Sequence, residues 1–201
     1  MRGKGVFALQ RIAVFCGSSS GASSIFREGA IELGKEMVKR GITLVYGGSS
    51  VGLMGQIADT VLDEGGEVIG VIPQMLEDRE ISHPNLTELF VVGSMHERKA
   101  KMADLADGFI ALPGGPGTME EFFEIFTWAQ LGLHHKPFGL LNVNSYYDKL
   151  VAFFDHMTDQ QFMHEKYRSM VFIESKPDQL IEQFKAFNPP DVKKWINEEQ
   201  T

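Results

Sequence analysis

Short apolar runs rich in β-branched residues alternate with longer segments of helical period along this chain. The short runs predict strands over residues 11–17, 43–48, 67–73, 88–93, 108–113, 137–143 and 171–174. Between them, apolar residues recur every three to four positions. This spacing predicts helices over residues 25–40, 53–64, 95–106, 119–133, 146–159 and 177–187. The alternation is typical of a layered α/β protein.

Two of the predicted strands are apolar at every position, so that both of their faces must be covered. They read Ile12-Ala-Val-Phe15 and Phe109-Ile-Ala-Leu112. A strand needs this only when helices pack on both sides of a parallel sheet. We therefore predict a Rossmann-like, doubly wound parallel sheet with helices on both faces. In such sheets ligands bind beyond the carboxyl ends of the strands, so the loops there should carry the function.

The length of 201 residues suits one domain. We predict a single nucleotide-binding catalytic domain over 11–187, an N-terminal extension over 1–10 and a polar C-terminal tail over 188–201. The apolar stretch 6–9 is too short for a signal-peptide core, and no apolar run reaches the length of a membrane span. The single cysteine, Cys16, fits a reducing compartment. We expect a cytoplasmic protein that does not bind membranes.

The net charge of −8 limits the kinds of partner that the protein can bind. Proteins that coat nucleic acid or anionic membranes carry an excess of Lys and Arg, so neither partner is expected here. An anionic ligand must instead be captured by a local site. The six histidines show no metal-ligand spacing, and we predict neither a bound metal nor a cofactor.

Three predicted strand ends are rich in glycine or serine: Gly17-Ser-Ser-Ser-Gly21, Gly47-Gly-Ser-Ser-Val-Gly52 and Gly114-Gly-Pro-Gly-Thr118. Glycines let backbone N–H groups approach an anion, and the helix that follows directs its positive end at it. One glycine pair alone could equally be a tight turn. Three such loops together favour a phosphate site, which we predict to include the following residues: Gly17, Ser18, Gly47, Gly48 and Gly114.

The same loops exclude two common nucleotide-binding classes. A Walker A loop needs a Lys after its last glycine, but Leu53 follows Gly52. No loop reads G-x-G-x-x-G, and the second predicted strand ends in Tyr46-Gly47 instead of the acid that would hold an NAD ribose. P-loop hydrolysis of nucleoside triphosphates and dehydrogenase chemistry are both disfavoured.

Charged residues flank the third loop and the helix before it. Glu121 follows Thr118 at the spacing of a capping box, which is its structural alternative. Beside the phosphate of a bound nucleotide, however, the Glu121 carboxylate would be repelled and would turn toward the neighbouring sugar. The helix end would favour the ionised form of this carboxylate. Arg98 belongs to the cationic segment 96–101, whose alternative is a solvated helix face. Cys16 is expected to be a small buried residue and not a nucleophile.

One predicted helix is apolar around much of its circumference. It carries Phe122, Phe123, Phe126 and Trp128. Such a helix needs cover beyond the sheet, and a second subunit is a natural source. We therefore predict a homodimer.

Taken together, the motifs resemble the LOG (Lonely Guy) family of cytokinin-activating phosphoribohydrolases, which also carries the label lysine decarboxylase. The family motif P-G-G-x-G-T-x-x-E stands at residues 113–121, and its partner stands as Met95-His-Glu-Arg-Lys99. The strand ends Cys16-Gly-Ser-Ser and Tyr46-Gly-Gly, with Gly52-Leu-Met-Gly55, resemble the family at its usual intervals. The resemblance covers residues 11–187.

The resemblance implies hydrolysis of the N-glycosidic bond of a nucleoside 5′-monophosphate, such as an N6-modified AMP, to a free base and ribose 5-phosphate. It also implies that Arg98 and Glu121 are the catalytic pair. The family's other substrate contacts would fall on Glu80, Lys99, Gly115, Pro116, Gly117, Thr118, Met119, Glu120 and Thr127. The natural base remains open between adenine, an isoprenoid adenine and others.

Two rival functions remain. A non-catalytic nucleotide carrier would use the same loops without a carboxylate at the sugar, so Glu121 argues against it. Decarboxylation of an amino acid usually needs pyridoxal phosphate bound to a Lys. Neither Lys99 nor Lys101 has a recognisable cofactor motif around it.

Overall fold

The computed structural model describes residues 9–78 and 82–190. Within these ranges, seven strands form one sheet in which every neighbouring pair is parallel. The strands are β1 (Arg11–Phe15), β2 (Thr43–Tyr46), β3 (Val68–Pro73), β4 (Glu88–Val92), β5 (Gly108–Ala111), β6 (Phe138–Leu141) and β7 (Val171–Glu174). Their order is β4-β3-β2-β1-β5-β6-β7. The predicted doubly wound fold is confirmed.

Eight α-helices lie within the described ranges. They are α1 (Ser24–Lys39), α2 (Gly52–Asp63), α3 (Gln74–Glu77), α4 (Met95–Leu105), α5 (Pro116–Gln130), α6 (Asp148–Asp159), α7 (Glu165–Arg168) and α8 (Pro177–Ala186). The sequence pattern did not predict α3 and α7, because one turn is too short to show a helical period. None of the helices in this part of the chain is long and apolar enough to cross a membrane.

The sheet separates two hydrophobic layers. Helices α1, α2 and α8 pack on one face, and α4, α5 and α6 pack on the other. Strand β1 supplies both layers, since Ile12 and Val14 belong to the first and Ala13 and Phe15 to the second. All four are almost completely buried. This alternation explains why the central strands are apolar at every position.

Helix α5 begins three residues earlier than predicted. Pro116 occupies its first position, where a missing N–H costs nothing, and Gly115 is the N-cap without any side-chain cap. Thr118 and Glu121 therefore lie inside the helix, and the capping-box alternative is wrong. The glycine motif itself is the start of the helix.

Much of the apolar surface of α5 is covered within the same chain. Phe122 and Phe126 are buried, and the ring centroids of Phe123 and Phe126 lie 5.7 and 6.0 Å from that of Phe154 in α6. Trp128 stays partly exposed. The prediction that a second subunit must cover this helix thus loses part of its basis, because α6 supplies the cover.

Candidate functional site

Strands β1 and β5 lie side by side, and the helices that follow them pack on opposite faces of the sheet. This reversal opens a crevice at the carboxyl ends of the two strands. The two loops meet there, since the backbone N–H of Gly17 donates to the carbonyl of Pro113 at 3.1 Å. A Cβ on Gly114 would overlap the Thr118 hydroxyl and approach the Gly17 nitrogen, so only glycine permits this contact. Two of the three glycine-rich loops are therefore in contact.

The second predicted loop approaches in part. The N–H of Leu53, in the first turn of α2, donates to the carbonyl of Gly17 at 3.0 Å. Gly47 and Gly48 lie deeper: Gly47 packs under the Arg98 side chain, and the carbonyl of Gly48 accepts from the N–H of His83 at 2.9 Å. Gly47 and Gly48 therefore lie behind the Arg98 side chain and not beside the two loops that meet.

The N-terminus of α5 faces the crevice. The N–H groups of Gly117 and Thr118 belong to the first turn, where a helix offers them no carbonyl. No neighbouring heavy atom lies within 4 Å of the positions that Cβ atoms on Gly115 and Gly117 would occupy, so the space beside both glycines is open. With the positive end of the helix dipole, these donors form a site suited to an anion.

A cavity of about 240 Å³ adjoins this helix end. Its walls include Ser18, Met54, Met95, Arg98, Glu121 and the Gly115–Thr118 turn. Cys16 also lines it but is only 7 % exposed, and burial, followed by the charge of Glu121, raises the pKa of its thiol far above the usual range. Cys16 is thus a neutral packing residue, as expected.

Arg98 and Glu121 face each other across the cavity wall. The Arg98 Nη1 and the Glu121 Oε1 are 3.4 Å apart, and the side chains are 11 % and 10 % exposed. The Arg98 Nε donates to the carbonyl of Val71 at 3.2 Å, which ties the guanidinium to β3. A Cβ on Gly47 would overlap the Arg98 Nη2, so Gly47 makes room for the guanidinium. The sequence had suggested a phosphate contact for Gly47.

The protonation of Glu121 is governed by burial. Desolvation raises the pKa of its carboxyl group, and the charge of Arg98 opposes this rise without cancelling it. The helix end alone favours the ionised form, as expected from the sequence, but burial acts in the opposite direction and prevails. The structure shows a carboxyl group whose pKa lies above the usual range of a glutamate.

The two lysines of α4 do not line the cavity themselves, although Glu120, a partner of Lys99, does. The Lys99 Nζ donates to Glu120 at 2.6 Å and to Glu124 at 3.0 Å. Burial lowers the pKa of Lys99, but these hydrogen bonds outweigh burial and the pKa is raised. The Lys101 Nζ lies 4.3 Å from the centre of the Phe90 ring. Glu124 was missed by the sequence analysis, although its i,i+4 spacing from Glu120 places both carboxylates on one helix face.

The remaining predicted contacts are dispersed. Thr127 is ten residues beyond Gly117, about 15 Å along α5, and its hydroxyl donates to the carbonyl of Phe123 at 2.8 Å. Met119 is half-buried against the second core layer. Glu80 lies outside the described residues.

The fold and the site define a class: a Rossmann-like protein with a helix N-terminus suited to an anion beside a buried Arg–Glu pair. A family model described as "Possible lysine decarboxylase" matches residues 54–184. The chain belongs to this family, which includes the LOG proteins. It is 49% identical to the cytokinin riboside 5′-monophosphate phosphoribohydrolase LOG7 of Arabidopsis thaliana, over 90% of this chain and 83% of that protein. It is 48% identical to LOG of Oryza sativa, over 90% and 74%.

Solved structures resemble the fold at much lower identity. The molybdenum cofactor binding protein of Rippkaea orientalis aligns with a TM-score of 0.67 and 22% identity, over 89% of this chain and 97% of that one. The Moco carrier protein of Chlamydomonas reinhardtii aligns with a TM-score of 0.66 and 21% identity, over 89% and 99%. At this identity the likeness is evidence for the fold alone.

Proposed function

We propose that this protein hydrolyses the N-glycosidic bond of a nucleoside 5′-monophosphate, releasing a free base and ribose 5-phosphate. The observation that carries the proposal is the buried Arg98–Glu121 pair in the wall of a cavity that ends at the N-terminus of α5. The names of the relatives direct the choice of substrate to cytokinin riboside 5′-monophosphates, which are N6-modified adenine nucleotides.

The phosphate binds at the start of α5. The N–H groups of Gly117 and Thr118, the open approach at Gly115 and the loop at Gly17 and Ser18 support this placement. Because the phosphate is remote from the bond that breaks, its binding energy can position the ribose against the carboxylate. Loss of the phosphate should therefore reduce turnover as well as affinity.

Glu121 acts on the sugar. As the bond from C1′ to the base nitrogen breaks, its electron pair leaves with the base and positive charge develops on the ribose ring. The ionised carboxylate stabilises that charge and directs water to C1′, and the proton released by the water balances the one gained by the base. Arg98 supports this role by favouring the ionised form of Glu121 and by offering donors to the substrate.

The carrier function is less well supported. A carrier needs the anion site but no carboxylate at the sugar. Burial of the Glu121 carboxyl group disfavours its ionised form, a cost that a carrier has no reason to bear. Pyridoxal-dependent decarboxylation needs a Lys that readily loses its proton. The raised pKa of Lys99 and its two carboxylate partners argue against that lysine in this role.

We further propose that the protein is a cytoplasmic homodimer. A groove of about 450 Å³ between α4 and the end of α5, lined by Ala100, Trp128 and Leu133 among others, supports a subunit contact. Light scattering of the purified protein should give twice the chain mass, and Trp128→Glu should shift it toward the monomer. A monomeric wild type would overturn this part of the proposal.

Chromatography of the reaction products tests the function. The protein is incubated with AMP, with N6-isopentenyl-AMP and with the matching nucleoside that lacks the phosphate. We expect free base and ribose 5-phosphate from a monophosphate, with the ratio of the two rates ranking the bases, and little release from the nucleoside. If no base is released from either nucleotide, while both still bind, the carrier function is the better account.

A further inference from the structure

Two adjacent tyrosines in the loop between β6 and α6 reach the glycine motif at the start of α5. The Tyr146 hydroxyl donates to the carbonyl of Gly114 at 2.7 Å, and the Tyr147 hydroxyl donates to the carbonyl of Leu112 at 2.6 Å. The sequence analysis did not identify either tyrosine, because the partners are 32 and 35 positions apart in the chain. Both hydroxyls hold the loop that carries the proposed phosphate site.

The other two carbonyls of this loop also have protein donors. The carbonyl of Pro113 accepts from the N–H of Gly17 at 3.1 Å, and the carbonyl of Gly115 accepts from the N–H of Met119 at 3.2 Å. All four consecutive carbonyls of residues 112–115 are thus engaged. A carbonyl oxygen that faced a phosphate would repel it. The engagement of these oxygens therefore leaves N–H groups to face an anion.

The Tyr146 contact also determines the direction of one N–H group. A trans peptide is planar, so its carbonyl oxygen and the N–H of the next residue point in opposite directions. With the Gly114 carbonyl directed at Tyr146, the Gly115 N–H points away from Tyr146. Gly115 lines the cavity beside Arg98 and Glu121, whereas Tyr146 lines a separate cavity of about 270 Å³ on which Gly114 also lies. Tyr146 thus approaches this peptide from the second cavity.

Packing and hydrogen bonds hold the two tyrosine rings in place. The ring centroid of Tyr146 lies 5.7 Å from that of Phe26 in α1 and 5.0 Å from that of Tyr147, both in edge-on contacts. Tyr147 is buried. The Asn142 side chain accepts from the N–H of Tyr147 at 2.7 Å and donates to Asp148 at 2.7 Å. These contacts close the turn around the tyrosine pair.

The backbone that leads into the pair has an unusual conformation. Asn144 and Ser145 have positive φ angles of 51° and 57°. Residues other than glycine rarely adopt this conformation, and it persists where the surrounding contacts determine the local structure. The turn therefore presents Tyr146 to the glycine motif at some cost in backbone free energy.

From these contacts we propose that Tyr146 and Tyr147 are positioning residues, which hold the peptide groups of residues 112–115 so that the Gly115 N–H and the first turn of α5 face the phosphate. The inference rests on the proposed function, to which the phosphate site belongs. Tyr146 has the larger role, because it holds the peptide that carries the Gly115 N–H. Tyr147 holds the peptide before Pro113, which has no N–H to direct.

The test uses the full-length protein with three variants: Tyr146→Phe, Tyr147→Phe and Tyr167→Phe. Each removes one hydroxyl and keeps the ring. Tyr167 lies on α7, just before β7 at the amino edge of the sheet, and serves as the matched control. Calorimetry measures the Kd of ribose 5-phosphate, and NMR of ¹⁵N-labelled protein without ligand follows the Gly115 amide resonance. Melting temperature, kcat and KM are measured for each variant.

We expect Tyr146→Phe to raise the Kd of ribose 5-phosphate about 3- to 10-fold, as for the loss of one hydrogen bond. The Gly115 amide resonance should shift, because the lost hydrogen bond polarises the same peptide group. KM for the nucleotide should rise more than kcat falls. Tyr147→Phe should raise Kd about twofold to threefold, and Tyr167→Phe should match wild type.

Three results would overturn the proposal. A Kd within about twofold of wild type in Tyr146→Phe, even with a lower melting temperature, would show that the hydroxyl supports stability alone. Weaker binding with an unchanged Gly115 resonance would show that the hydroxyl contacts the phosphate directly. A wild type that does not bind ribose 5-phosphate would remove the phosphate site itself. Neither the calorimetry nor the NMR needs turnover, so a wild type that binds ribose 5-phosphate but releases no base would sink the proposed hydrolysis and still decide the role of the tyrosines.

Discussion

Helices α4 and α5 flank one cavity at the amino ends of the strands and another at the carboxyl ends. Buried or half-buried polar side chains lie beside both cavities, but their hydrogen-bond partners differ. At the amino ends of the strands, the His134 Nε2–H donates to the carbonyl of Ile125 at 2.8 Å, and the Lys136 Nζ donates to the carbonyl of Ala103 at 2.7 Å. At the carboxyl ends, Arg98 and Glu121 face one another. The cavity at the amino ends, about 450 Å³, is the larger of the two.

The difference shows what marks a functional site in this fold. Lys136 donates to Ala103, one of the last four carbonyls of α4, which that helix leaves open, and His134 adds a second donor to a carbonyl inside α5. The Arg98–Glu121 contact, at 3.4 Å, is longer than a strong charge-assisted hydrogen bond. Its groups therefore keep capacity for a substrate. A buried charge pair beside a helix N-terminus suited to an anion, and not cavity size, is the reason why we propose the carboxyl ends as the functional end.

Removing the cation at each end should separate the two roles most sharply. Arg98→Met is expected to lower kcat/KM by about 10²- to 10³-fold, because Glu121 loses its partner and the substrate loses donors. Lys136→Met removes a cation beside the larger cavity and should leave kcat/KM within about twofold of wild type. Steady-state assays of base release on both variants measure this contrast. Equal losses in the two variants would contradict the division between the ends.

A smaller loss is expected from a change that leaves both charges in place. Gly47→Ala adds a Cβ that collides with the Arg98 guanidinium, and the flexible end of that side chain must move. We expect kcat to fall about tenfold or more, in line with the cost of a small misplacement of a catalytic group. Thermal unfolding should change little, since the main conflict is with a side-chain tip. Unchanged kcat would show that the position of Arg98 is not critical.

The pH dependence should also distinguish the ends. The pKa of Glu121 is raised by burial, so its ionised form is lost as pH falls through a value above the usual glutamate range. Activity should therefore rise with pH along an acidic limb displaced upward from that range. A kcat/KM profile of wild type measures the limb. An acidic limb at or below the ordinary glutamate range would contradict this assignment.

Substitution of His134 is expected to have the smallest effect on activity. It should instead change how the free energy of unfolding depends on pH. Burial lowers the pKa of His134 to about 4, so the neutral ring is favoured in the folded protein. The stabilisation this provides is complete above the unfolded pKa of about 6.5 and is lost as pH falls toward 4, on the order of 3 kcal/mol in all. His134→Gln should flatten that dependence in urea unfolding and leave activity at neutral pH unchanged. If His134→Gln retains the full pH dependence, other groups cause it.

Parts of this comparison could be predicted from the sequence. The strands that are apolar at every position indicated a parallel sheet covered on both faces. The glycine-rich segments after β1 and β5 indicated the loops at which a ligand would bind. Both patterns can be read from the sequence because they reflect constraints on a few neighbouring residues. The start of α5 at Pro116 was missed because the glycine motif lacks helical propensity, although Pro suits a first helical position.

The structure was needed for relations across the fold. The contact of Gly47 with Arg98 and the closure of Lys99 by Glu120 and Glu124 join residues 21 to 51 positions apart. The raised pKa of Glu121 arises from burial, which no motif reports. The cover of α5 by α6 likewise depends on tertiary packing.

The central claim is that an ionised Glu121 acts on the sugar while the helix end holds the phosphate. The most direct test compares wild type and Glu121→Gln with the same nucleotide, by calorimetric binding of the nucleotide and by chromatography of the released base. We predict that Glu121→Gln binds within about tenfold of wild type but releases base at least about 10²-fold more slowly. Near-normal release by a folded Glu121→Gln would contradict the account.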